Sequence, residues 1–184
     1  MKLDLYHEKL TLWLHGKYLK KPGKLLDAGT GPFGGPFFGF ERLGYQVLGC
    51  DIEPADKKIK KVDLEKKWPY KSDSFDYVLM WHVCEHLKNN LWFDEAYRCL
   101  KKGGKLIIVT PDWETYYKRF YNEWGHCTPY TRILLKQMAR KKKFNIITNK
   151  IFSNIPILWR YTLRAFEFVA PFKAKSILTI LEKR

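Results

Sequence analysis

The sequence lacks the features that mark secreted and membrane-spanning proteins. Its longest uncharged apolar stretches lie near the C-terminus and fall far short of the roughly 20 residues that a membrane-spanning helix needs. Residues 1–10 contain two acidic side chains and no apolar run, so we expect no secretory signal there. The four cysteines show no paired spacing, which predicts reduced, mostly buried thiols and a cytoplasmic location.

Acidic residues are also scarce. The chain contains 19 acidic against 34 basic residues, which gives a formal net charge of +15. A charge so far from zero indicates anionic surroundings, such as nucleic acid, an acidic membrane surface or an acidic substrate. The lysines nevertheless occur in short clusters at the predicted ends of helices and strands, so we expect each cluster to be a solvated loop end. Peripheral membrane contact and, less favoured, nucleic-acid contact stay open as alternatives to a small-molecule partner.

Short apolar segments alternate with helical segments along the chain, and 184 residues suit a single domain. This alternation predicts a mostly parallel, doubly wound α/β sheet covered on both faces. Strands are predicted at residues 24–28, 46–50, 59–62, 75–80 and 105–110. Helices are predicted at residues 4–20, 36–43, 89–100 and 129–142. An antiparallel pair at the sheet edge, residues 144–149 and 176–181, completes a set of about seven strands.

A glycine-rich loop follows the first predicted strand and has the pattern Gly29-x-Gly31-x-x-Gly34. Glycine suits these positions because the backbone turns sharply and must approach a ligand with no Cβ in between. Asp51 ends the next strand, 22 positions beyond Gly29, where its carboxylate can accept hydrogen bonds from both hydroxyls of a ribose. The combination indicates a nucleoside-binding site.

Two kinds of ligand fit this combination, a nicotinamide dinucleotide and S-adenosylmethionine. Pro32 lies inside the loop and has no N–H to offer a pyrophosphate. Asp27 places a carboxylate two positions before Gly29, which repels phosphates but attracts the free ammonium of a methionine moiety. We also expect no separate substrate domain in 184 residues. We therefore favour S-adenosylmethionine as the cofactor over NAD(P) and an oxidoreductase function.

Three further segments, residues 63–87, 100–112 and 126–144, resemble the type-11, UbiE-like group of class I S-adenosylmethionine-dependent methyltransferases. The first segment contains DSFDYV followed by EHL, the second contains LKKGGKLIIV, and the third contains HCTPYT before a helix. Lys143 stands where this group usually has glycine. The resemblance covers about residues 20–150 and the closing strand, and it implies a single Rossmann-like doubly wound sheet with an antiparallel last strand.

The resemblance also assigns roles in holding the cofactor. At the methionine moiety it implies Asp27, Gly29 and Gly31. At the ribose it implies Asp51. At the adenine it implies Ile52, Asp63 and Leu64. Met80 and Trp81 are expected to line the space near the sulfonium, where an aromatic face attracts the positive sulfur. Core packing is the alternative for this last pair, and a solvated turn carboxylate is the alternative for Asp63.

Methyl transfer is a displacement at an activated carbon, so a base is needed only where the acceptor loses a proton. His126 lies on the expected substrate side and is the candidate base, with a hydrogen-bonded loop histidine as the alternative. His82, Glu85 and His86 have the spacing of one helical face and of metal ligands. We expect hydrogen bonding and no metal there, because His82 is a poor ligand for a hard cation. His82 is also a candidate contact to the acceptor.

Residues 151–175 are rich in aromatic side chains and are expected to form a lid over the acceptor. Arg160 and Arg164 lie one helical turn apart within it and are candidates to hold an acid or phosphate of the acceptor. Core packing of the aromatic residues is the alternative. We expect an N-terminal helix at residues 1–21, a donor-binding core at 22–150, the lid at 151–175 and a last strand at 176–184.

These features predict transfer of a methyl group to an oxygen or nitrogen of a small-molecule or lipid-linked acceptor. An RNA or protein methyltransferase is the alternative that the positive charge suggests. Against RNA bases, no Asn/Asp-Pro-Pro-aromatic segment follows the fourth predicted strand, where enzymes that methylate base amino groups carry one. No appended RNA-binding module is recognisable either.

Overall fold

The computed structural model describes residues 5–31, 34–54, 56–153 and 175–184. The predicted lid lies almost entirely outside these ranges, and so do Arg160 and Arg164. Within the described ranges, no helix is both long enough and apolar enough to cross a membrane.

Seven strands of the described chain form one sheet, in the order β3-β2-β1-β4-β5-β7-β6. The strands are β1 (Lys24–Ala28), β2 (Gln46–Asp51), β3 (Ile59–Lys61), β4 (Phe75–Trp81), β5 (Leu100–Pro111), β6 (Asn145–Ser153) and β7 (Lys175–Glu182). The strands β1 to β5 pair in parallel, whereas β7 runs antiparallel to both of its neighbours, β5 and β6. The predicted doubly wound sheet, mostly parallel with an antiparallel last strand, is therefore confirmed.

Helices connect the strands. Those in the described ranges are α1 (Leu5–Leu14), α2 (Gly35–Arg42), α3 (Leu91–Cys99), α4 (Trp113–Phe120) and α5 (Arg132–Lys141). A π-helical turn at His15–Leu19 extends α1, and a 3-10 turn at Cys84–His86 follows β4. The helix α5 begins where Oγ1 of Thr131 accepts a hydrogen bond from the N–H of Leu134 at 3.1 Å, which satisfies one unpaired amide of the first turn.

The helix α4 is the one described helix that the sequence pattern does not predict. Its sequence, WETYYKRF, consists largely of aromatic and β-branched residues, which are weak helix formers. Packing outweighs this weak propensity, because Phe120 is fully buried and the ring of Trp113 lies 5.4 Å from it in an edge-to-face arrangement.

The sheet separates two hydrophobic cores. Along β4, Tyr77 and Leu79 pack with buried residues of α1 and α2. Val78 and Met80 point to the opposite face and pack with buried residues of α3 and α5. Because successive side chains of a strand alternate between faces, a strand covered by helices on both sides must be apolar at nearly every position. This explains why the central strands read as continuous apolar runs.

A half-buried ion pair on α3 holds the segment that follows β3. The carboxylate of Glu95 accepts hydrogen bonds from the backbone N–H of Trp68 at 2.8 Å and from Nε and Nη2 of Arg98 at 2.9 and 2.6 Å. Arg98 also donates to the backbone carbonyls of Trp68 and Tyr70. The hydrogen bonds from Arg98 and from the Trp68 amide lower the pKa of Glu95, although burial opposes them. The pair thereby anchors a loop that is otherwise without regular structure.

Replacement Glu95→Gln removes the charge from this network while keeping the size of the side chain. We expect the free energy of unfolding at pH 7, measured by urea denaturation, to fall by about 1–3 kcal/mol because Arg98 is left poorly paired. Because folding lowers the pKa of Glu95, the ionised carboxylate stabilises the fold at pH values above 4.5, its ordinary pKa. This stabilisation is lost as the pH falls through the lowered pKa.

The difference between Glu95→Gln and wild type should therefore shrink in acid. Glu114→Gln, at an exposed position of α4, is the matched control and should behave as wild type. A difference that stays the same at low pH would contradict this account.

Candidate functional site

The glycine loop leaves β1 at the edge of the sheet where the parallel strands end. Gly29 has a φ of +82°, and a Cβ there would lie 2.3 Å from a methyl carbon of Val83, just beyond β4. This close approach excludes a side chain at residue 29. Gly31 also has a positive φ, but a Cβ there would meet no atom of the described residues within 4 Å. Packing therefore requires glycine at residue 29, whereas packing among the described residues does not require it at residue 31.

Asp51 joins the end of β2 to the glycine loop. Its Oδ2 accepts a hydrogen bond from the N–H of Gly31 at 2.9 Å, and its Oδ1 accepts one from the N–H of Glu53 at 3.0 Å. An ionised carboxylate has about four acceptor positions, so capacity remains for the two hydroxyls of a ribose. The backbone thus orients this carboxylate without help from a ligand.

Asp27 is buried beneath the same loop. Its side chain is 1% exposed, and neither carboxylate oxygen has a hydrogen-bond partner among the described residues. Burial, and then the negative charge of Asp51, raise the pKa of Asp27 to about 7. A buried carboxylate without a partner calls for an explanation, and a ligand that brings an ammonium group supplies both the missing donors and the opposite charge. The residues therefore fit the methionine end of S-adenosylmethionine.

The three residues predicted at the adenine follow β2 and β3. The N–H of Val62 donates to the carbonyl oxygen of Asp51 at 2.8 Å, which brings residues 62–64 beside the end of β2. Ile52 is 58% exposed, an unusual exposure for an isoleucine next to a buried strand. The carboxylate of Asp63 accepts a hydrogen bond from the N–H of Glu65 at 3.0 Å and lies 3.1 Å from Nζ of Lys66. The hydrogen bond from Glu65 is the main cause of the lowered pKa of Asp63. Leu64 is buried, which leaves its backbone as the available contact.

Met80 and Trp81 lie at the end of β4 and differ in their surroundings. Met80 is fully buried in the core on the α3 side of the sheet, as the core-packing alternative expects. Trp81 is half-buried and packs against the core on the other side. Contact of either residue with the cofactor stays a prediction, and Trp81 is the better placed of the two because part of it is exposed.

His82 and Glu85 form a hydrogen-bonded pair next to this strand end. The Nδ1 atom of His82 lies 3.1 Å from Oε1 of Glu85, which is fully buried. The other oxygen of Glu85 accepts a hydrogen bond from Oγ1 of Thr110 at 3.0 Å, and Nε2 of His82 lies 3.5 Å from Oγ of Ser176. No sequence motif predicts Thr110 and Ser176 at this site, although both lie near strand ends at the edge of the sheet where the site forms. His82 has a φ of +53°, a strained value for a histidine.

His126 lies in the loop before α5. Its Nδ1 donates to the carbonyl oxygen of Phe120 at 2.9 Å, its ring centroid is 4.7 Å from that of His86, and its side chain is 3% exposed. This placement resembles the alternative of a hydrogen-bonded loop histidine. The role of His126 as a base stays a prediction, as do those of Arg160 and Arg164, which lie outside the described residues.

Comparisons with known proteins address the family and the fold. A family model described as a methyltransferase domain matches residues 4–184. The fold is similar to a SAM-dependent methyltransferase from Archaeoglobus fulgidus, with a TM-score of 0.70 and 19% identity over 96% of this chain and 94% of that one. It is also similar to 1,6-didemethyltoxoflavin-N1-methyltransferase from Burkholderia thailandensis, solved with S-adenosylhomocysteine, with a TM-score of 0.67 and 14% identity over 98% and 79% of the two chains.

One curated relative was found in Methanocaldococcus jannaschii. It is an uncharacterized protein that is 33% identical over 107 residues, which is 56% of this chain and 51% of that protein. The chain thus matches about half the length of this relative.

Replacement Asp51→Ala tests the ribose contact. We expect the affinity for S-adenosylmethionine, measured by calorimetry, to fall at least about tenfold, because each charge-assisted hydrogen bond contributes roughly 1.5–3 kcal/mol. Asp56→Ala removes another carboxylate that accepts a backbone hydrogen bond, and it should leave the affinity unchanged. An unchanged dissociation constant in a folded Asp51→Ala protein would place the ribose elsewhere.

The raised pKa of Asp27 predicts a pH dependence of cofactor binding. The ligand ammonium pairs with the ionised carboxylate, so affinity should increase as the pH rises through about 7. It should decrease again as an α-amino group loses its proton near about 7.7–8.0. Calorimetry from pH 5.5 to 9 measures this pH dependence of the affinity, with Asp27→Asn as the comparison. The variant should bind weakly, and its affinity should not increase as the pH rises through about 7.

The same replacement should have the opposite effect on stability. In the absence of cofactor, a carboxyl group whose pKa is raised on folding destabilises the fold increasingly as the pH rises from 3.8 to about 7. Ligand-free Asp27→Asn should therefore melt at a temperature at least equal to wild type at pH 8. A variant that is less stable and binds normally would contradict the assignment.

Proposed function

Since the chain belongs to the methyltransferase-domain family, we propose that it transfers a methyl group to an oxygen or nitrogen of a small-molecule or lipid-linked acceptor. The predicted class I methyltransferase family and the predicted cofactor, S-adenosylmethionine, are confirmed by the family match and by SAM-dependent structural relatives. The finer assignment to the UbiE-like group stays a prediction, and so does the cytoplasmic location.

The observation that carries the proposal is the buried carboxylate of Asp27 under the glycine loop, which has no hydrogen-bond partner among the described residues. A dinucleotide would bring phosphates to this position, where Asp27 would repel them. A ligand with a free ammonium at one end and a ribose in the middle fits both carboxylates. When bound, S-adenosylmethionine supplies a methyl carbon already activated by its sulfonium, so the protein contributes mainly alignment and the exclusion of water.

A proton acceptor is needed if the acceptor atom carries a hydrogen that is lost on transfer. Of the two histidines considered, His82 supports this role better, because its side chain is 31% exposed at the end of β4 whereas that of His126 is 3% exposed. The buried carboxylate of Glu85 orients Nδ1 of His82, and Oγ of Ser176 lies 3.5 Å from Nε2. A histidine whose Nδ1 is held by a carboxylate takes a proton on Nε2. His82 thus combines contact with the acceptor and proton removal.

A small-molecule acceptor is supported by one of the structural relatives. The Burkholderia thailandensis enzyme was solved with 1,6-didemethyltoxoflavin, a small molecule, beside S-adenosylhomocysteine. The net charge of +15 favours one second candidate, an RNA methyltransferase. Any strongly basic protein binds RNA at low salt, so methyl transfer and not binding distinguishes the two candidates.

The experiment has two steps. Calorimetry should detect binding of S-adenosylmethionine and S-adenosylhomocysteine but not of NAD, and the opposite result would end the proposal. Methyl-labelled S-adenosylmethionine is then incubated with the protein and with separated small-molecule, lipid and RNA fractions. We expect label in a small-molecule or lipid fraction, and robust label in bulk RNA would make the second candidate the function.

With an acceptor identified, His82→Asn should lower kcat by at least about tenfold, within the range of a lost general base. The affinity for S-adenosylmethionine should change by less than about threefold, since His82 is not among the expected cofactor contacts. His15→Asn, at a histidine whose Nδ1 lies 2.9 Å from the hydroxyl of Tyr45, is the control. An unchanged kcat in His82→Asn would remove the proton-accepting role.

A further inference from the structure

Three side chains able to bind a metal meet at the turn after β4. Glu85 and His86 belong to the 3-10 turn, and His126 comes from the loop between α4 and α5. One ligand atom of each residue lies within 4.8 Å of those of the other two. The histidine at residue 82 is not a member of this group, although spacing along the chain had associated it with Glu85 and His86. His126, which is distant in the sequence, joins Glu85 and His86 instead. Its presence is the reason to revise the expectation of no metal.

The two segments that carry these residues are joined by backbone hydrogen bonds. The carbonyl oxygen of Glu85 accepts from the N–H of Cys127 at 2.9 Å and from the N–H of Thr128 at 3.0 Å. Oγ1 of Thr128 donates to the carbonyl oxygen of Leu87 at 2.5 Å. The fold itself therefore holds side by side the two segments that carry the three candidate ligands.

His126 is oriented as metal-binding histidines usually are. Its Nδ1 must carry a proton, because it donates to the carbonyl oxygen of Phe120 at 2.9 Å. In the neutral ring this leaves Nε2 with a lone pair, and a carbonyl partner on the other nitrogen is the common supporting contact of a histidine ligand. The half-exposed carboxylate of Glu123 lies 3.5 Å from the same Nε2.

Glu85 retains capacity for a cation. Its two oxygens contact His82 at 3.1 Å and Thr110 at 3.0 Å, and the thiol of Cys84 lies 3.7 Å from the second oxygen. A carboxylate has about four acceptor positions, so at least one remains. Because Glu85 is fully buried, a bound cation would also offset the cost of keeping its negative charge away from water.

Gly125 allows the loop to pass directly against His86. Its φ is +84°, and a Cβ there would lie 3.0 Å from Nδ1 of His86. His86 itself is exposed, so a coordination position faces solvent. Two imidazole nitrogens and one carboxylate suit a borderline cation such as Zn²⁺, Co²⁺ or Ni²⁺, and they suit Mg²⁺ poorly.

We propose that Glu85, His86 and His126 form a binding site for a divalent transition-metal cation, with Zn²⁺ as the representative. The cation joins the turn after β4 to the loop before α5. The site does not depend on the proposed function, because it involves none of the residues expected to hold the cofactor.

The test uses the full chain, purified without a polyhistidine tag, treated with chelator and dialysed, in the absence of cofactor and acceptor. Zn²⁺ is titrated by calorimetry and Co²⁺ by its visible absorption. We expect a one-to-one complex and a melting temperature that rises with Zn²⁺, as mass action requires for a ligand of the folded state. The absence of any one-to-one complex tighter than about 10 µM would overturn the proposal.

Two variants identify the ligands. His86→Gln alters an exposed residue, and His126→Asn keeps a side-chain N–H for the carbonyl of Phe120. Each should weaken Zn²⁺ binding by at least about thirtyfold, or about 2 kcal/mol. His15→Asn is the matched control and should stay within about threefold of wild type. His82→Asn removes a contact to Glu85 but no proposed ligand, and it tests the alternative ligand set.

The outcomes are distinguishable from one another. If His82→Asn loses Zn²⁺ binding and His126→Asn retains it, the ligands are His82, Glu85 and His86, which are neighbours in the sequence. The proposal is then wrong. If His126→Asn fails to fold, His86→Gln still decides, because unchanged Zn²⁺ binding in that variant overturns the site. If the wild-type protein binds Zn²⁺ one-to-one but transfers no methyl group to any fraction, the proposed function alone is contradicted.

Discussion

The close approach of Gly29 to Val83 is the constraint on which the site depends. Gly29 belongs to the loop that leaves β1, and Val83 belongs to the turn that leaves β4, between His82 and Glu85. Because the Val83 side chain fills the space beside Gly29, only that one side chain separates the two segments. The amides of residues 29–31 donate to Cys50 and Asp51 at the end of β2. One contact therefore positions both the loop predicted to receive the cofactor and the turn that carries His82 and His86.

Electrostatics at this edge opposes stability. Asp27 is buried near Asp51, so one carboxylate lies in an apolar environment beside another negative charge. A fold under selection for stability alone would place an apolar residue there. The retained carboxylate has a physical reason if the binding partner is a cation, because binding then relieves both the burial cost and the repulsion. Sites that bind charged ligands commonly sacrifice stability in this way.

Much of the fold follows from local patterns in the sequence. Apolar runs identify the strands, the glycine pattern identifies the first turn, and Asp51 follows from its distance to that turn. The helix α4 escapes this reasoning because its residues are weak helix formers, and burial of Phe120 decides its conformation. Local pattern also leaves open whether Met80 belongs to the core or to the site, since that depends on which face of the sheet each helix covers.

The region around Glu85 is where sequence reasoning reaches its limit. Spacing alone grouped Glu85 with His82 and His86, which are three residues before it and one after it. The structure adds Thr110 and His126, which approach from β5 and from the loop before α5. Such contacts join residues far apart in the chain, and no periodic pattern records them. The hydrogen-bonded surroundings of a buried carboxylate can thus be known only once the topology is known.

The position of β7 has a consequence for how the sheet is assembled. This strand lies between β5 and β6, although both of them precede it in the chain. During synthesis the outer edge of β5 and the inner edge of β6 are made before the strand that pairs with both, so each presents unpaired amides and carbonyls. Closure of the sheet is then a late insertion that pairs residues far apart in sequence, the kind of step that is slow and exposes a nascent chain to aggregation.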